Sequence, residues 1–234
     1  MQAVDRPVDR LVVALDLSVR DDILRAVDEL HGAAGTFKIG LQAFIANGPA
    51  IVKEIVARGD RVFLDLKIHD IPNTARNAVA EAVFLGASIV TVHAAGGDAM
   101  LRACAESQRN ALVLGVTVLT SLDESDLPRI GFSGDVPSNT VRLAQLVQSA
   151  GLRGVVASPR EIAALREACG PDLVILTPGI RPAGGDMGDQ RRTMTAAEAI
   201  RAGADYIVVG RPITAAKDRR AAAMMIVEEI AASV

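Results

Sequence analysis

Eight short apolar runs, rich in Val, Ile and Leu, recur along the chain and constrain its fold more than any other feature. They occupy residues 11–16, 36–40, 61–67, 88–94, 111–120, 154–158, 173–179 and 206–210. The runs are continuously apolar rather than alternating, which is typical of strands covered on both faces, as in a parallel sheet flanked by helices. Stretches with helical spacing, such as "NTARNAVAEAVFLG", separate one run from the next.

Glycines lie at the boundaries between these units. Several helical stretches end in glycine directly before the next run, where a left-handed C-cap would turn the chain back, as at Gly35, Gly59, Gly86, Gly151 and Gly203. Eight strand–helix units without a linker or low-complexity segment predict an α/β fold, a single-domain (β/α)8 TIM barrel over residues 1–234. An open doubly wound parallel sheet is the alternative. In a barrel, chemistry lies at the carboxyl ends of the strands, so these ends become the candidate site.

The bulk composition excludes several functional classes. Half of the residues are apolar, which suits one large aliphatic core, and the formal net charge is −3. Without a basic surface, the chain is not expected to bind nucleic acid or an anionic membrane. Cys104 and Cys169 lack the spacing of a zinc site or a disulfide framework and are expected to be reduced thiols. No stretch resembles a signal core or is long enough to span a bilayer, so we expect a cytoplasmic protein.

Charged residues gather at the predicted strand ends. The segment "FLDLKIHDIPNT" (63–74) places Asp65, Lys67 and Asp70 within six positions at the end of an apolar run. Unpaired buried charge is costly, so the cluster is either an ion pair at a solvated strand end or a functional site. Asp65 and Lys67 are two apart and are predicted to point to one side of the strand. Further candidates lie in or just after other runs, namely Asp16, Lys38, Thr120, Gly210 and Arg211. Lys–Asp pairs that only close the barrel are the alternative interpretation.

Two loops indicate a phosphate site. The loop "TPGIRPAGGDMGDQRR" (177–192) is long for a connection in a compact barrel and is a candidate lid. After the eighth run, "GRPIT" offers backbone N–H groups at a helix start and the Arg211 guanidinium. Barrels often bind phosphate after strands seven and eight, which favours a phosphate ester as ligand. The alternative is a glycine-rich solvent loop and a capping arginine.

Other chemistries have little support. His69 and His93 lie near the charged cluster, but they lack a metal-ligand spacing, so a polar core or loop role is favoured over a metal site. No Ser-His-Asp arrangement, Walker loop or G-x-G-x-x-G turn is present in the sequence. We therefore expect no cofactor.

Taken together, these segments resemble the orotidine 5′-phosphate decarboxylase family in its bacterial form, over nearly the whole chain. The similarity rests on "VALD", "FKIG", "FLDLKIHDIPNT", "TVHAAGG", "VTVLTSL", "LTPGIRP", "GDQRR" and "ADYIVVGRPIT". The D-x-K-x-x-D-I-P-N-T run is the most specific of them. The resemblance implies cofactor-independent decarboxylation of orotidine 5′-phosphate to UMP, the last step of de novo pyrimidine biosynthesis, by a homodimer.

The resemblance also implies roles for individual residues. The catalytic group would consist of Lys67, Asp65, Asp70 and Lys38. Asp16 and Lys38 would contact the ribose hydroxyls, and Thr120 the pyrimidine edge. The phosphate would be held by Arg181, Gln190, Gly210 and Arg211. Three residues would reach into the neighbouring subunit's site, namely Asp70, Ile71 and Thr74.

Two alternatives remain at this point. A Mg²⁺-dependent sugar-phosphate decarboxylase or aldolase of the same barrel superfamily shares D-x-K-x-x-D but forms an enediolate, for which a metal is useful. The continuation "IPNT" and the segments "GIRP" and "GDQ" favour the orotidine family over it. A non-catalytic nucleotide-binding barrel is the second alternative, and the intact Asp-Lys-Asp array argues against it.

Overall fold

The computed structural model describes residues 6–181 and 194–233, and its strands form a closed parallel barrel. Strands that follow one another in the chain are hydrogen-bonded neighbours, and the last strand pairs with the first. The strands are β1 (Leu11–Ala14), β2 (Thr36–Gly40), β3 (Val62–Ile68), β4 (Ile89–His93), β5 (Leu112–Val116), β6 (Gly154–Val156), β7 (Val174–Thr177) and β8 (Tyr206–Val209). This ring confirms the predicted TIM barrel and excludes the open sheet. The predicted extent of the domain, 1–234, stays a prediction.

Helices connect the strands and pack against the outside of the barrel. They are α1 (Arg20–Leu30), α2 (Leu41–Asn47), α3 (Ala50–Ala57), α4 (Pro72–Phe84), α5 (Asp98–Glu106), α6 (Val136–Ser149), α7 (Ile162–Cys169), α8 (Ala196–Ala202), α9 (Arg211–Thr214) and α10 (Arg219–Ala231). Short 3₁₀ turns lie at Pro7–Arg10, Ala94–Gly96, Leu127–Ile130 and Pro159–Glu161. Within the described residues, no helix combines the length and apolar composition that a membrane crossing needs.

Most of the predicted glycine caps have the expected backbone conformation. Gly59, Gly86, Gly151 and Gly203 all have positive φ, which a residue with a side chain adopts only at a cost. Gly35 is the exception, because its requirement is space rather than φ. A Cβ at Gly35 would lie 2.5 Å from the Val8 carbonyl oxygen, so glycine lets the 3₁₀ turn at Pro7–Arg10 approach the start of β2.

The core has two layers, which explains why the strand sequences are apolar on both faces. The larger layer lies between the sheet and the helices. The smaller fills the barrel interior with Val12, Ala14, Phe63, Ile89, Leu112, Leu114, Val174, Leu176, Tyr206 and Val208. Every residue of β1, β5, β7 and β8 is buried. A filled interior of this kind leaves the strand ends as the place for a site.

Six of the predicted strands are shorter in the structure than in the sequence analysis, and at two of them the difference moves a predicted site residue. β1 ends at Ala14 rather than at Asp16, and β5 ends at Val116 rather than at Thr120. Asp16 and Thr120 therefore lie in the loops that follow these strands. At the end of β5 the chain is held by Thr117, whose hydroxyl donates to the Val156 carbonyl at 2.8 Å. The apolar run continues beyond this point because Val118 and Leu119 face a cavity rather than the sheet.

Candidate active site

A cavity of about 340 Å³ opens at the carboxyl ends of the strands. Most of the predicted site residues line it, namely Asp16, Lys38, Asp65, Lys67, Thr120, Arg181, Gly210 and Arg211. The remaining wall is mainly apolar, with Phe63, Val116, Val118, Leu119, Val156, Leu176, Pro178 and Val208 among its members. The cavity thus combines charged groups, which come from β2, β3 and the segments after β1, β7 and β8, with an apolar wall, which is the usual composition of a small-molecule site.

Asp16, Lys38, Asp65 and Lys67 form a row of alternating charges along the cavity. Lys38 Nζ lies 2.9 Å from Asp16 Oδ1 and 3.7 Å from Asp65 Oδ2. Lys67 Nζ donates to both oxygens of Asp65 at 2.9 Å. The side chains of Lys38 and Asp65 are each only 12% exposed, so neither charge would be tolerated here without its partner. The row is electrically balanced, with each carboxylate next to an ammonium.

A β-bulge in β3 determines where Lys67 lies. Leu64 pairs with Val90 and Ile68 pairs with Val92. Between these two pairs the chain advances four residues along β3 but only two along β4. Lys67 has a φ of 51°, a left-handed conformation that costs a residue with a Cβ about 1–2 kcal/mol. Simple strand alternation, on which the sequence prediction relied, does not anticipate this bulge. Backbone strain of this kind concentrates at functional sites.

Thr91 on β4 holds this part of the site together, and the sequence analysis missed it. Its hydroxyl donates to Asp65 Oδ1 at 2.9 Å and accepts the backbone N–H of Lys67 at 3.0 Å. The residue is fully buried. One signal was available, because Thr91 is a polar residue inside the apolar run "SIVTVHA".

The two histidines near the cluster stack on each other, with ring centroids 5.2 Å apart and planes inclined by 19°. His93 Nδ1 accepts the backbone N–H of Ala95 at 3.3 Å, which leaves the proton of the neutral ring on Nε2. Burial lowers the pKa of His93, and the electrostatic influence of His69 and Lys67 lowers it further. His93 is therefore neutral at physiological pH. Among the described residues, no group of three or more His, Cys, Asp or Glu side chains is arranged to hold a metal ion.

Three of the predicted residues that the structure describes are not brought to the cavity wall. Asp70, Ile71 and Thr74 are exposed and, in the part of the chain that the structure describes, lie outside the cavity lining. Asp70 Oδ1 accepts the backbone N–H of Ile71 at 2.7 Å, and Ile71 is 68% exposed at the start of α4. Gln190 lies outside the described residues.

Comparison with known proteins identifies the family. Residues 9–226 match the family model described as "Orotidine 5'-phosphate decarboxylase / HUMPS family". The chain belongs to this family. An orotidine 5′-phosphate decarboxylase of Moorella thermoacetica is 53% identical over 232 residues, which cover 95% of this chain and 92% of the relative. One of Geobacter sulfurreducens is 47% identical over 235 residues, which cover 97% of this chain and 98% of the relative. The resemblance noted in the sequence is confirmed.

Solved structures show the same relationship within the orotidine 5′-phosphate decarboxylase / HUMPS family. The crystal structure of orotidine 5′-phosphate decarboxylase from Lactobacillus acidophilus superimposes with a TM-score of 0.86 at 33% sequence identity. The superposition covers 97% of this chain and 99% of that structure. The fold is thus shared with that structure over most of the chain.

Proposed function

We propose that this chain decarboxylates orotidine 5′-phosphate to UMP, a step of pyrimidine biosynthesis, without a cofactor. The observation that carries the proposal is the Lys67 ammonium, held by both oxygens of Asp65 at the wall of the cavity, in a chain whose curated relatives bear this activity in their names. Those relatives favour the orotidine reaction over the sugar-phosphate alternative.

The charge of Lys67 suits this reaction. When the bond between C6 of the pyrimidine and its carboxylate breaks, CO2 leaves and the electron pair stays on C6. A nearby ammonium stabilises this carbanion and then gives C6 a proton, after which the lysine regains a proton from solvent. At an effective dielectric constant of about 20, two unit charges 4 Å apart interact by roughly 4 kcal/mol. Because Asp65 fixes the ammonium beforehand, little reorganisation is needed during the reaction.

The other residues of the cavity fit the rest of the substrate. Asp16 and Lys38, at the edge of the charged row, are proposed to bind the ribose hydroxyls, and Thr120 the pyrimidine edge. Arg181 and Arg211 also line the cavity and follow β7 and β8, where barrels commonly bind phosphate. The proposed phosphate contacts are Arg181, Gln190, Gly210 and Arg211. Binding energy at the phosphate, remote from the reacting carbon, then helps to position the ring.

We further propose that the enzyme is a homodimer in which Asp70, Ile71 and Thr74 complete the partner's site. Support comes from the exposure of these three residues just after the carboxyl end of β3. Ile71 presents a large apolar side chain to solvent directly after Asp70. Mixing a Lys67→Ala variant with an Asp70→Ala variant, after partial unfolding and refolding together, should restore activity, because hybrid dimers carry one intact site. A mixture as inactive as its components would refute the shared site.

The function is tested directly with purified, chelator-treated protein. Orotidine 5′-phosphate is added, the loss of its ultraviolet absorbance is followed, and UMP is identified by chromatography. Turnover is expected without added metal, whereas activity that appears only with Mg²⁺ and a sugar phosphate would favour the alternative reaction. A cytoplasmic location stays a prediction, for which fractionation of cells producing the protein is the measurement.

A further inference from the structure

We infer that Thr91 is a positioning residue for the decarboxylation, whose hydroxyl holds the Asp65 carboxylate and the Lys67 backbone so that the ammonium faces the cavity. This inference rests on the proposed function, since it assigns Thr91 a part in the same reaction. Thr91 does not line the cavity in the described structure and is not expected to touch the substrate. It acts through its two neighbours.

The first observation is that one hydroxyl makes both contacts. Its hydrogen is given to Asp65 Oδ1 at 2.9 Å, and its oxygen accepts the Lys67 N–H at 3.0 Å. Asp65 Oδ1 is also one of the two oxygens that bind Lys67 Nζ. Thr91 therefore closes a ring that runs from the Lys67 backbone through the hydroxyl and the Asp65 carboxylate to the Lys67 ammonium. Such a ring restrains the lysine at both ends of its side chain.

The second observation is the backbone that this hydroxyl stabilises. The bulge takes Lys67 out of regular register with β4, and its φ of 51° is unfavourable for a residue with a Cβ. A backbone N–H in such a place needs an acceptor from outside the regular ladder. The Thr91 oxygen supplies it from the neighbouring strand. Without the hydroxyl, the conformation that directs Lys67 toward the cavity loses a specific support.

Three other buried threonines, Thr117, Thr140 and Thr177, do not make such a contact. Thr117 and Thr177 donate to backbone carbonyls, of Val156 at 2.8 Å and Ala157 at 2.7 Å, at the ends of their strands. Those bonds fasten one strand to the next. Thr140, inside α6, is fully buried and its hydroxyl has no hydrogen-bond partner among the described residues. Only the Thr91 hydroxyl, of these four, bonds to a carboxylate that itself binds a cavity-lining lysine.

The test uses Thr91→Val, which keeps the shape and removes the hydroxyl, beside Thr91→Ser, which restores a hydroxyl, and Thr140→Val as a matched buried control. We expect Thr91→Val to lower kcat about 10- to 100-fold, the range typical when a hydrogen-bond partner that orients a metal ligand is removed. The KM for orotidine 5′-phosphate and the affinity for UMP should change less than about threefold, because the binding groups remain. Thr91→Ser should recover most of kcat, and Thr140→Val should match the parent.

A double-mutant cycle asks whether Thr91 acts through Asp65. If it does, Thr91→Val should lower kcat much less in an Asp65→Asn background than in the parent, because the carboxylate that it orients is already gone. Independent losses that multiply would contradict this route. Hydrogen exchange at the Lys67 amide, which does not depend on activity, should be faster in Thr91→Val than in the parent. Unchanged exchange would remove the backbone half of the inference.

The outcomes separate this inference from the proposed function. If the parent turns over orotidine 5′-phosphate and Thr91→Val has the parent's kcat, the role of Thr91 is refuted and the function stands. A parent without turnover refutes the function and, with it, the role of Thr91 in catalysis. Should Thr91→Val be unfolded at the assay temperature by circular dichroism, Thr91→Ala carries the same test. A loss of stability with unchanged kcat per folded molecule would assign Thr91 a purely structural role.

Discussion

Both ends of the barrel carry charged side chains, but the side chains at the two ends bind different kinds of partner. At the carboxyl end, the ammonium groups of Lys38 and Lys67 pair with carboxylates beside the cavity. At the amino end, guanidinium groups bond largely to backbone carbonyls. Arg61 Nε donates to the Gly35 carbonyl at 2.8 Å, and Arg166 Nη2 donates to that of Gly203 at 2.7 Å. The first arrangement faces a space for a ligand, and the second fastens loops.

This difference indicates what each set of charges does. A carbonyl is fixed by the fold, so a guanidinium bound to several of them joins segments that are distant in the chain. Arg166 bonds in this way to the loops before β7 and β8, and it also pairs with Asp205 at 2.7 Å. An ammonium has three donors, and Lys67 directs its bonds at a single carboxylate on the cavity wall. We expect changes at the two ends to affect different properties, activity at one and stability at the other.

The largest effect is expected from Lys67→Ala. It removes the positive charge and the proton donor at the reacting carbon, so kcat should fall by at least about 10³-fold, the upper range for loss of one preorganised electrostatic group. Thermal unfolding should stay close to that of the parent, because about a third of the Lys67 side chain is exposed and Asp65 keeps its bond to Thr91. The measurement is steady-state turnover of orotidine 5′-phosphate with parallel calorimetry.

The control for this variant is Lys53→Ala, which removes a lysine from the exposed face of α3. It should retain the parent's activity. Normal turnover by Lys67→Ala would mean that the charged row only closes the barrel, the alternative left open by the sequence.

At the amino end, Arg166→Met should have the opposite signature. The substitution leaves the carbonyls of Gly170, Gly203 and Leu173 and the Asp205 carboxylate without this partner, and the side chain is only 21% exposed. The free energy of unfolding should fall by about 3 kcal/mol, the scale for breaking a largely buried ion pair. Chemical denaturation measures this loss. Turnover at temperatures where the variant is folded should be unchanged, and a large drop in kcat without destabilisation would contradict the division between the two ends.

A third variant, Arg211→Ala, refines the comparison within the carboxyl end. Arg211 begins α9, directly after β8, and lines the cavity. If it binds the phosphate, UMP affinity should fall about 10- to 100-fold, the loss expected for a hydrogen bond to a charged group. Binding of uridine, which lacks the phosphate, should hardly change. Titration calorimetry with both ligands provides the measurement, and equal losses for UMP and uridine would exclude a phosphate contact.

The fold could be predicted because its determinants are local in the sequence. Strands buried on both faces must be apolar throughout, and the glycines between units reflect turns that need a positive φ or close packing. The charged row could be located for a similar reason, since Asp16, Lys38, Asp65 and Lys67 all lie at or near the ends of apolar runs. The exact strand ends were wrong, because residues such as Val118 are apolar where they line the cavity, and Gly35 is needed for space rather than for a positive φ.

The remaining features of the site depend on contacts between distant parts of the chain. The bulge at Lys67 arises from the register between β3 and β4, which no local pattern specifies. The role of Thr91 depends on the same register. If β4 were shifted by one residue, the Thr91 side chain would point to the other face of the sheet. For Asp70 and Ile71, the proposed partner is a second subunit, and the contacts of an exposed residue with another molecule leave no periodic signal in its own sequence.

The smallest effect is expected at the stacked histidines, next to the charged row, through the pH dependence of stability. The pKa of His93 is lowered in the folded protein, first by burial and then by His69 and Lys67, from an ordinary value near 6.5. As the pH falls below about 6.5, the unfolded chain takes up a proton at this position before the folded protein does, so stability is lost in this window.

His93→Asn keeps an acceptor for the Ala95 N–H but does not titrate. Unfolding measured from pH 7.5 to pH 5 should therefore show a shallower loss of stability in the variant, with parallel behaviour above pH 7. An equal slope in both proteins would mean that the folded state carries a protonated His93 beside Lys67 without penalty, and the carboxyl end would then be less sensitive to added positive charge than its balanced row implies.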